Sequence, residues 1–308
     1  VIQTADEVLK YDPNLEMAHL LRTAALMGMS DFKQAKLEVA GVLKRNPNSR
    51  DAVFQSSMIA FVEGNFKDAD AGFRKLYDLN PPDLRGLMGL TEVYMAQKQT
   101  DAAIQLMQKE IAAQPQRTDY HIALANVSVR AQRFDLAIAE YKKYLEKQPN
   151  SPSVYVRLGE TYRRKGDLKS AEENFRKARQ IDPRNASIQL QLALLLESSG
   201  RRPEARPMYD EILNLQPDNG VALNNLAYIL AEEGKELDRA QSLAERARQT
   251  MPNDPAVADT LGWIYIRKNL SDNAIKIFVD LTAAYPKVST FHYHLGMAYL
   301  QKGDKGQA

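Results

Sequence analysis

Proline recurs along this chain with a fixed period. Pro13, Pro47, Pro81, Pro115, Pro149, Pro183 and Pro217 lie 34 residues apart, Pro252 follows after 35, and Pro286 after another 34. One alanine series, Ala35, Ala69, Ala103, Ala137, Ala171, Ala205, Ala240, Ala274 and Ala308, keeps that spacing and slips by one residue at the same place. A unit this short cannot close a hydrophobic core alone, so each must bury its apolar face against its neighbours. The 308 residues therefore read as one array of small units, not as the two domains that length alone suggests.

The clearest unit spans 152–185. Tyr155, Leu158 and Tyr162 recur at helical spacing and share one face of a first helix. Beside the leucine stands a small residue, Gly159 here and Gly262 in a later unit, which lets a second helix approach closely. Ala171, Phe175 and Ala178 follow on that second helix, where a side chain larger than Ala171 would push the first helix away. Gly64, Gly166, Gly200, Gly234 and Gly303 fall between the two helices and tolerate the left-handed conformation that ends one. The closing proline stops the second helix, and pairs such as Asp182-Pro183 and Pro149-Asn150 supply turn and cap chemistry.

This pattern resembles the tetratricopeptide repeat at nearly every diagnostic place. The next unit offers Leu192, Ala193, Leu196, Gly200, Ala205, Tyr209 and Pro217, and a later one Leu261, Gly262, Tyr265, Ala274, Phe278 and Pro286. The resemblance covers the whole chain and implies an all-α, right-handed superhelical solenoid of helix-turn-helix units over 1–308. Full repeats are expected at 16–49, 50–83, 84–117, 118–151, 152–185, 186–219, 220–254 and 255–288, with partial ones at 1–15 and 289–308. Arg22 and Ser56 stand where later units have leucine, so the first two full repeats depart from the pattern. The extra residue of the 35-residue unit falls in the 232–236 turn. The chain starts at Val1 inside a second helix, and Ala308 would open another, with no polar capping helix after Tyr299 and Leu300. It is therefore expected to be a fragment of a longer chain, with an apolar end able to associate end to end.

In this family the first helices line a concave wall that holds extended or helical peptide segments, so the resemblance implies a protein-binding scaffold. In the N-terminal third that wall is apolar: Leu20, Phe54, Met58, Phe61, Met88 and Met95. Methionine adapts to varied apolar partners; the alternative is that these residues pack against neighbouring helices. In the middle stand Asn126, Arg130, Arg157, Arg163 and Arg164, within a stretch, 118–185, that holds 14 Lys+Arg and 9 Asp+Glu, a net of +5. They read either as a strip that accepts an acidic segment or as a solvated face balanced by Glu160, Glu172 and Glu173. In the C-terminal third stand Asn224, Asn225, Tyr228, Trp263, Tyr293 and Met297. Trp263 is either a partner anchor or packed into the preceding unit. Asn224 and Asn225 either bind a peptide backbone or lie on the surface.

Other chemistry finds little support. The chain has no cysteine, which removes thiolate nucleophiles and cysteine-ligated metals. His19, His121, His292 and His294 form no metal motif, since His292 and His294 point to roughly opposite sides of a helix. Gly86 and Gly89 lie inside a helix, not a phosphate loop, and no nucleophile elbow is found. The fragment is expected to be non-catalytic, without cofactor or metal. A net charge of +2 and first-helix positions that vary from Met88 to Ile122, Val156 and Asn224 argue against nucleic acid. No apolar run approaches the ~18 residues that span a bilayer.

Within the family, the two-carboxylate clamp for chaperone tails is missing. Asn225 matches one place, but Leu190 and Leu194 precede it where Lys and Asn belong, and Ile122 precedes Asn126. The asparagine ladder of the solenoid that precedes O-GlcNAc transferase is missing too. A substrate-presenting arm of a larger enzyme, such as a glycosyltransferase, is the alternative to a scaffold. The run 222–228, with Asp259, Leu261, Gly262 and Trp263 in the next unit, resembles a bacterial subset that includes export lipoproteins. Cytoplasm and periplasm both stay open.

Overall fold

A computed structural model describes residues 1–81 and 83–308. The described residues form helices throughout, with no strand. The first compact unit, Val1–Pro149, holds α1 (Ile2–Tyr11), α2 (Glu16–Gly28), α3 (Phe32–Arg45), α4 (Arg50–Val62), α5 (Phe66–Leu79), α6 (Leu84–Ala96), α7 (Thr100–Ala113), α8 (Thr118–Arg130) and α9 (Phe134–Lys147). The second, Asn150–Ala308, holds α10 (Pro152–Lys165), α11 (Leu168–Ile181), α12 (Ala186–Ser198), α13 (Arg202–Leu215), α14 (Gly220–Glu233), α15 (Leu237–Thr250), α16 (Pro255–Arg267), α17 (Ser271–Ala284) and α18 (Ser289–Lys302). Within each unit the even-numbered helix packs on the odd-numbered one that follows, and each hairpin packs on the next.

The turn inside every hairpin is built the same way. Ser30, Gly64, Lys98, Gln132, Gly166, Gly200, Gly234, Asn269 and Gly303 occupy one repeat position, and all have positive φ. Around Gly166 the amide of Gly166 donates to the Arg163 carbonyl (3.0 Å) and that of Asp167 to Tyr162 (2.9 Å). Gln132 and Arg133 repeat those bonds to Val129 (3.1 Å) and Ser128 (2.8 Å). An L-residue held left-handed costs roughly 1–2 kcal/mol, which glycine avoids. Gln132→Gly is therefore expected to stabilise the chain by about 1 kcal/mol, and Gly166→Ala to destabilise it by a similar amount, read as opposite shifts of the urea midpoint. The extra residue of the longer unit is taken up here too, with Gly234 at φ 68° and Glu236 at φ 52°.

The core between the helices follows the small-residue positions. Ala35, Ala69, Ala103, Ala137, Ala171, Ala205, Ala240 and Ala274 are all fully buried. Ala308 differs: it is exposed and outside any helix. Asp304 Oδ1 accepts from the amides of Gly306 (3.2 Å) and Gln307 (3.3 Å), as Asp167 accepts from Ser170 (3.0 Å) at the start of α11. At Gly159 an added Cβ would sit 2.8 Å from the Phe175 ring and 3.2 Å from the Ala171 carbonyl. At Gly262 it would sit 2.6 Å from the Phe278 ring. The room left by the missing side chain thus goes mainly to an aromatic ring of the partner helix.

At Arg22 an ion network replaces the leucine of other units. Its guanidinium donates to Asp6 on α1 (2.8 Å) and to Glu38 on α3 (2.5 Å), and His19 also meets Glu38. Burial raises the Glu38 pKa, but the bonds from Arg22 and His19 outweigh it and hold the carboxyl below its ordinary 4.5. A depressed carboxylate contributes stability that is fully present above its unfolded pKa and is lost as pH falls through the folded one. The α1–α3 hairpin region should therefore loosen as pH falls below about 4.5. Hydrogen exchange of α2 and α3 amides checks this, and Arg22→Met should flatten the dependence.

Candidate binding groove

The first helices of three successive hairpins in the Val1–Pro149 unit border an open cavity of about 390 Å³. On α2, Met17, Leu20, Leu21, Ala24 and Met27 fall at intervals of three and four residues and form one stripe. Leu20 turns inward and is 6% exposed, whereas Met17 is 60% and Leu21 50% exposed. Asp51, Phe54 and Gln55 of α4 form the opposite wall, with Arg85 of α6 at the rim.

The rim holds a fixed ion pair, and Gln55 Oε1 of the wall is buried with no partner among the described residues. The Phe54 ring lies 6.3 Å from that of Phe73, and the Arg85 guanidinium stands 5.2 Å above it. Arg85 also donates to Asp51 (2.6 Å) and Asp83 (2.7 Å). The bonds from Asp83 and Asp51 raise its pKa, and Arg85 in turn holds the Asp83 carboxyl below its ordinary value. Gln55 Nε2 donates to the Leu20 carbonyl (2.9 Å), which spans the floor from α4 to α2. The result is an apolar trough with a fixed ion pair on its edge. Burying one leucine or methionine side chain of a partner in it is worth about 1.5–3 kcal/mol.

Of the apolar residues expected in a groove, Phe54 and Leu20 line this cavity. Met58 and Phe61 are half-buried against a core of Ala69, Phe73, Leu90 and Val93, and Phe61 also meets Phe66 at 5.8 Å. Met88 and Met95 pack on the cluster around Leu87, Met107 and Leu124. For these four the neighbour-packing alternative describes their surroundings. Met17, Leu21, Gln55 and Arg85 were not among the sequence candidates. The signal for the first two was present: α2 is apolar at Met17, Leu21 and Ala24 as well as at Ala18, Leu20 and Ala25, more than one packing face requires.

The polar candidates are engaged by neighbours. Asn126 accepts from the Tyr141 hydroxyl (2.6 Å), and Arg130 forms a two-pronged ion pair with Glu92. In the Asn150–Ala308 unit Arg163 pairs with Glu160 (2.7 and 2.8 Å), while Arg157 and Arg164 are exposed on α10. Exposed pairs of this kind are worth about 0–1 kcal/mol.

Asn225 donates to the Tyr209 hydroxyl (3.0 Å), which donates to Glu197 (2.6 Å). Burial, then the Glu197 bond, pushes the Tyr209 phenol well above its ordinary range. Asn224 bonds Asn225 (3.3 Å), and its own Oδ1 is buried with no partner among the described residues. Tyr228 lies under Arg202 at 5.2 Å. Trp263 donates to Glu232 of the preceding hairpin (2.9 Å) and stacks on His294 (4.9 Å), so it packs between hairpins. His294 bonds Asp259 (2.7 Å), and Tyr293 is 63% exposed beside it. Among the described residues no group of three or more His, Asp or Glu is placed to hold a metal, and no helix is long and apolar enough to cross a membrane.

Helical hairpins repeating every 34 or 35 residues, each packed on the next, define an α-solenoid repeat protein. The chain belongs to the tetratricopeptide repeat family: its profiles match residues 60–127, 162–227 and 198–264, and residues 122–186 and 260–308. Among solved structures, the C-terminal part of a TPR repeat-containing protein from Cytophaga hutchinsonii is similar at TM-score 0.56 and 16% identity, over 79% of this chain and 99% of that one. YrrB, a TPR protein with an unusual peptide-binding site, is similar at TM-score 0.52 and 22% identity, over 61% and 96%. A chain of the APC/C hetero-tetramer Cut9–Hcn1 is similar at TM-score 0.53 and 16% identity, over 96% and 58%. At these identities the likeness shows the fold. No curated protein sequence matches the chain.

Proposed function

We propose that this chain is a non-catalytic scaffold that binds a partner polypeptide in the trough between α2, α4 and α6. The observation that carries this is the exposure of Met17 and Leu21 across an open cavity from Phe54. Isolated exposed apolar side chains need no explanation, but a stripe facing an aromatic ring across a trough is a surface shaped for covering. The Arg85–Asp51 pair on the rim adds polar groups that can fix the register of a bound segment. Peptide binding by YrrB, a protein of the same fold, supports the reading. The partner segment carries at least two apolar anchors at a spacing that reaches both α2 and α4. A role in a bacterial export or assembly complex is compatible with such a scaffold.

Panning a displayed peptide library against the purified chain, followed by calorimetric titration of enriched peptides, tests this. Enriched sequences should share spaced apolar anchors and should bind Leu21→Glu poorly. Failure to enrich any sequence family, or equal binding to Leu21→Glu, would reject the trough as the binding site.

A further inference from the structure

The hairpin of α4 and α5 lacks two side chains that its neighbours have. Ser56 stands where later first helices place leucine, and at Gly72, where other second helices carry a large side chain, the place of a Cβ is taken by Ser57 Oγ. The pairs Leu90 and Leu106, Leu192 and Met208, and Leu226 and Leu243 occupy these places elsewhere. Here a cavity of about 340 Å³ opens between α3, α4 and α5. It shares no lining residue with the trough between the first helices. Its lining sets apolar Leu43, Val53, Ile59 and Ala60 beside Ser56, Ser57 and Asn65.

The charge at its edge is uneven. Lys75 Nζ donates to the Pro47 carbonyl (2.6 Å), a neutral partner, which leaves the charge uncompensated and two donor directions in hand. The other lysine of the lining, Lys36, is paired with Glu63 (3.0 Å). Asp68, the acid of the lining, likewise bonds a neutral group, Asn65 Nδ2 (2.6 Å), but it lies seven residues along α5 from Lys75, about 10 Å away. One unpaired ammonium beside an apolar pocket of this size complements a monoanion with a hydrocarbon body. We infer that the cavity between α3, α4 and α5 binds a medium-chain aliphatic carboxylate, its chain against Leu43, Val53 and Ile59 and its carboxylate on Lys75. The site is independent of the peptide trough.

The test is calorimetric titration of the full chain with octanoate, with octanol as the neutral counterpart. Octanoate should saturate at one site, and octanol should bind at least tenfold more weakly. Ser56→Leu, which restores the residue found in other units, should abolish octanoate binding while the helical circular dichroism stays unchanged. Lys75→Ala, on an exposed side chain, should weaken octanoate at least tenfold and leave octanol unaffected. Non-saturating binding, wild-type affinity in Ser56→Leu or in Lys75→Ala, or octanol binding as tight as octanoate would each overturn the assignment.

Discussion

Phe175→Ala is expected to destabilise the α10–α11 hairpin by about 3–5 kcal/mol, the range for removing a fully buried phenylalanine. Phe175 is 0% exposed, and its ring fills the space that Gly159 leaves on the facing helix. The loss is local, because each hairpin of a solenoid contacts mainly its neighbours. It is therefore best read by hydrogen exchange of α10 and α11 amides, which should open well before those of α16 and α17. The pairing with Gly159 makes the expectation specific. Gly159→Ala alone forces a Cβ to within 2.8 Å of the ring, so it should cost about 1–3 kcal/mol. With the ring removed, the same methyl fills part of the cavity, and the double variant should be more stable than the sum of the singles implies. Strict additivity would show that ring and glycine do not share this space.

Leu21→Glu is expected to weaken binding of a trough-selected peptide at least about thirtyfold, the loss that corresponds to a central anchor worth about 2 kcal/mol. Leu21 is 50% exposed in the free chain, so the substitution removes a contact surface without emptying a core. Helical content and melting should stay close to wild type, since exposed positions usually change stability by less than about 0.5 kcal/mol. Met17→Glu should act in the same direction, because Met17 lies one turn before Leu21 on the same stripe. By contrast, Met88→Glu should damage folding, since that side chain is packed on the Leu87–Met107–Leu124 cluster. Comparing the two classes of variant separates a groove residue from a packing residue. Titration calorimetry and a melting curve on each protein are enough to decide.

Several of the groove candidates find contacts that lie outside their own repeat. Phe54, Met58 and Phe61 are one helical stripe in the sequence and all pack against Phe73, Leu90 and Val93, yet of the three Phe54 also borders the trough. The Trp263 indole N–H donates to Glu232, one hairpin back. The basic residues looked like a strip, but Arg130 and Arg163 find carboxylates at Glu92 and Glu160. Glu160, three residues before Arg163, was visible as a helical partner, whereas Glu92 sits a full repeat before Arg130.

The sequence alone determined the period, the two-helix unit, the alanine and glycine places and the turn that ends each first helix. These depend on local sterics: a left-handed residue, a proline, or a side chain too large for a helix contact acts through its own backbone and the next turn. Tertiary structure alone decided which apolar residues stay uncovered. Exposure depends on what the facing helix places opposite, within one hairpin for Arg22 and Glu38 and across two hairpins for Met17 and Leu21 with Phe54. Such pairings join residues 16 to 37 positions apart, and no local pattern encodes their distance.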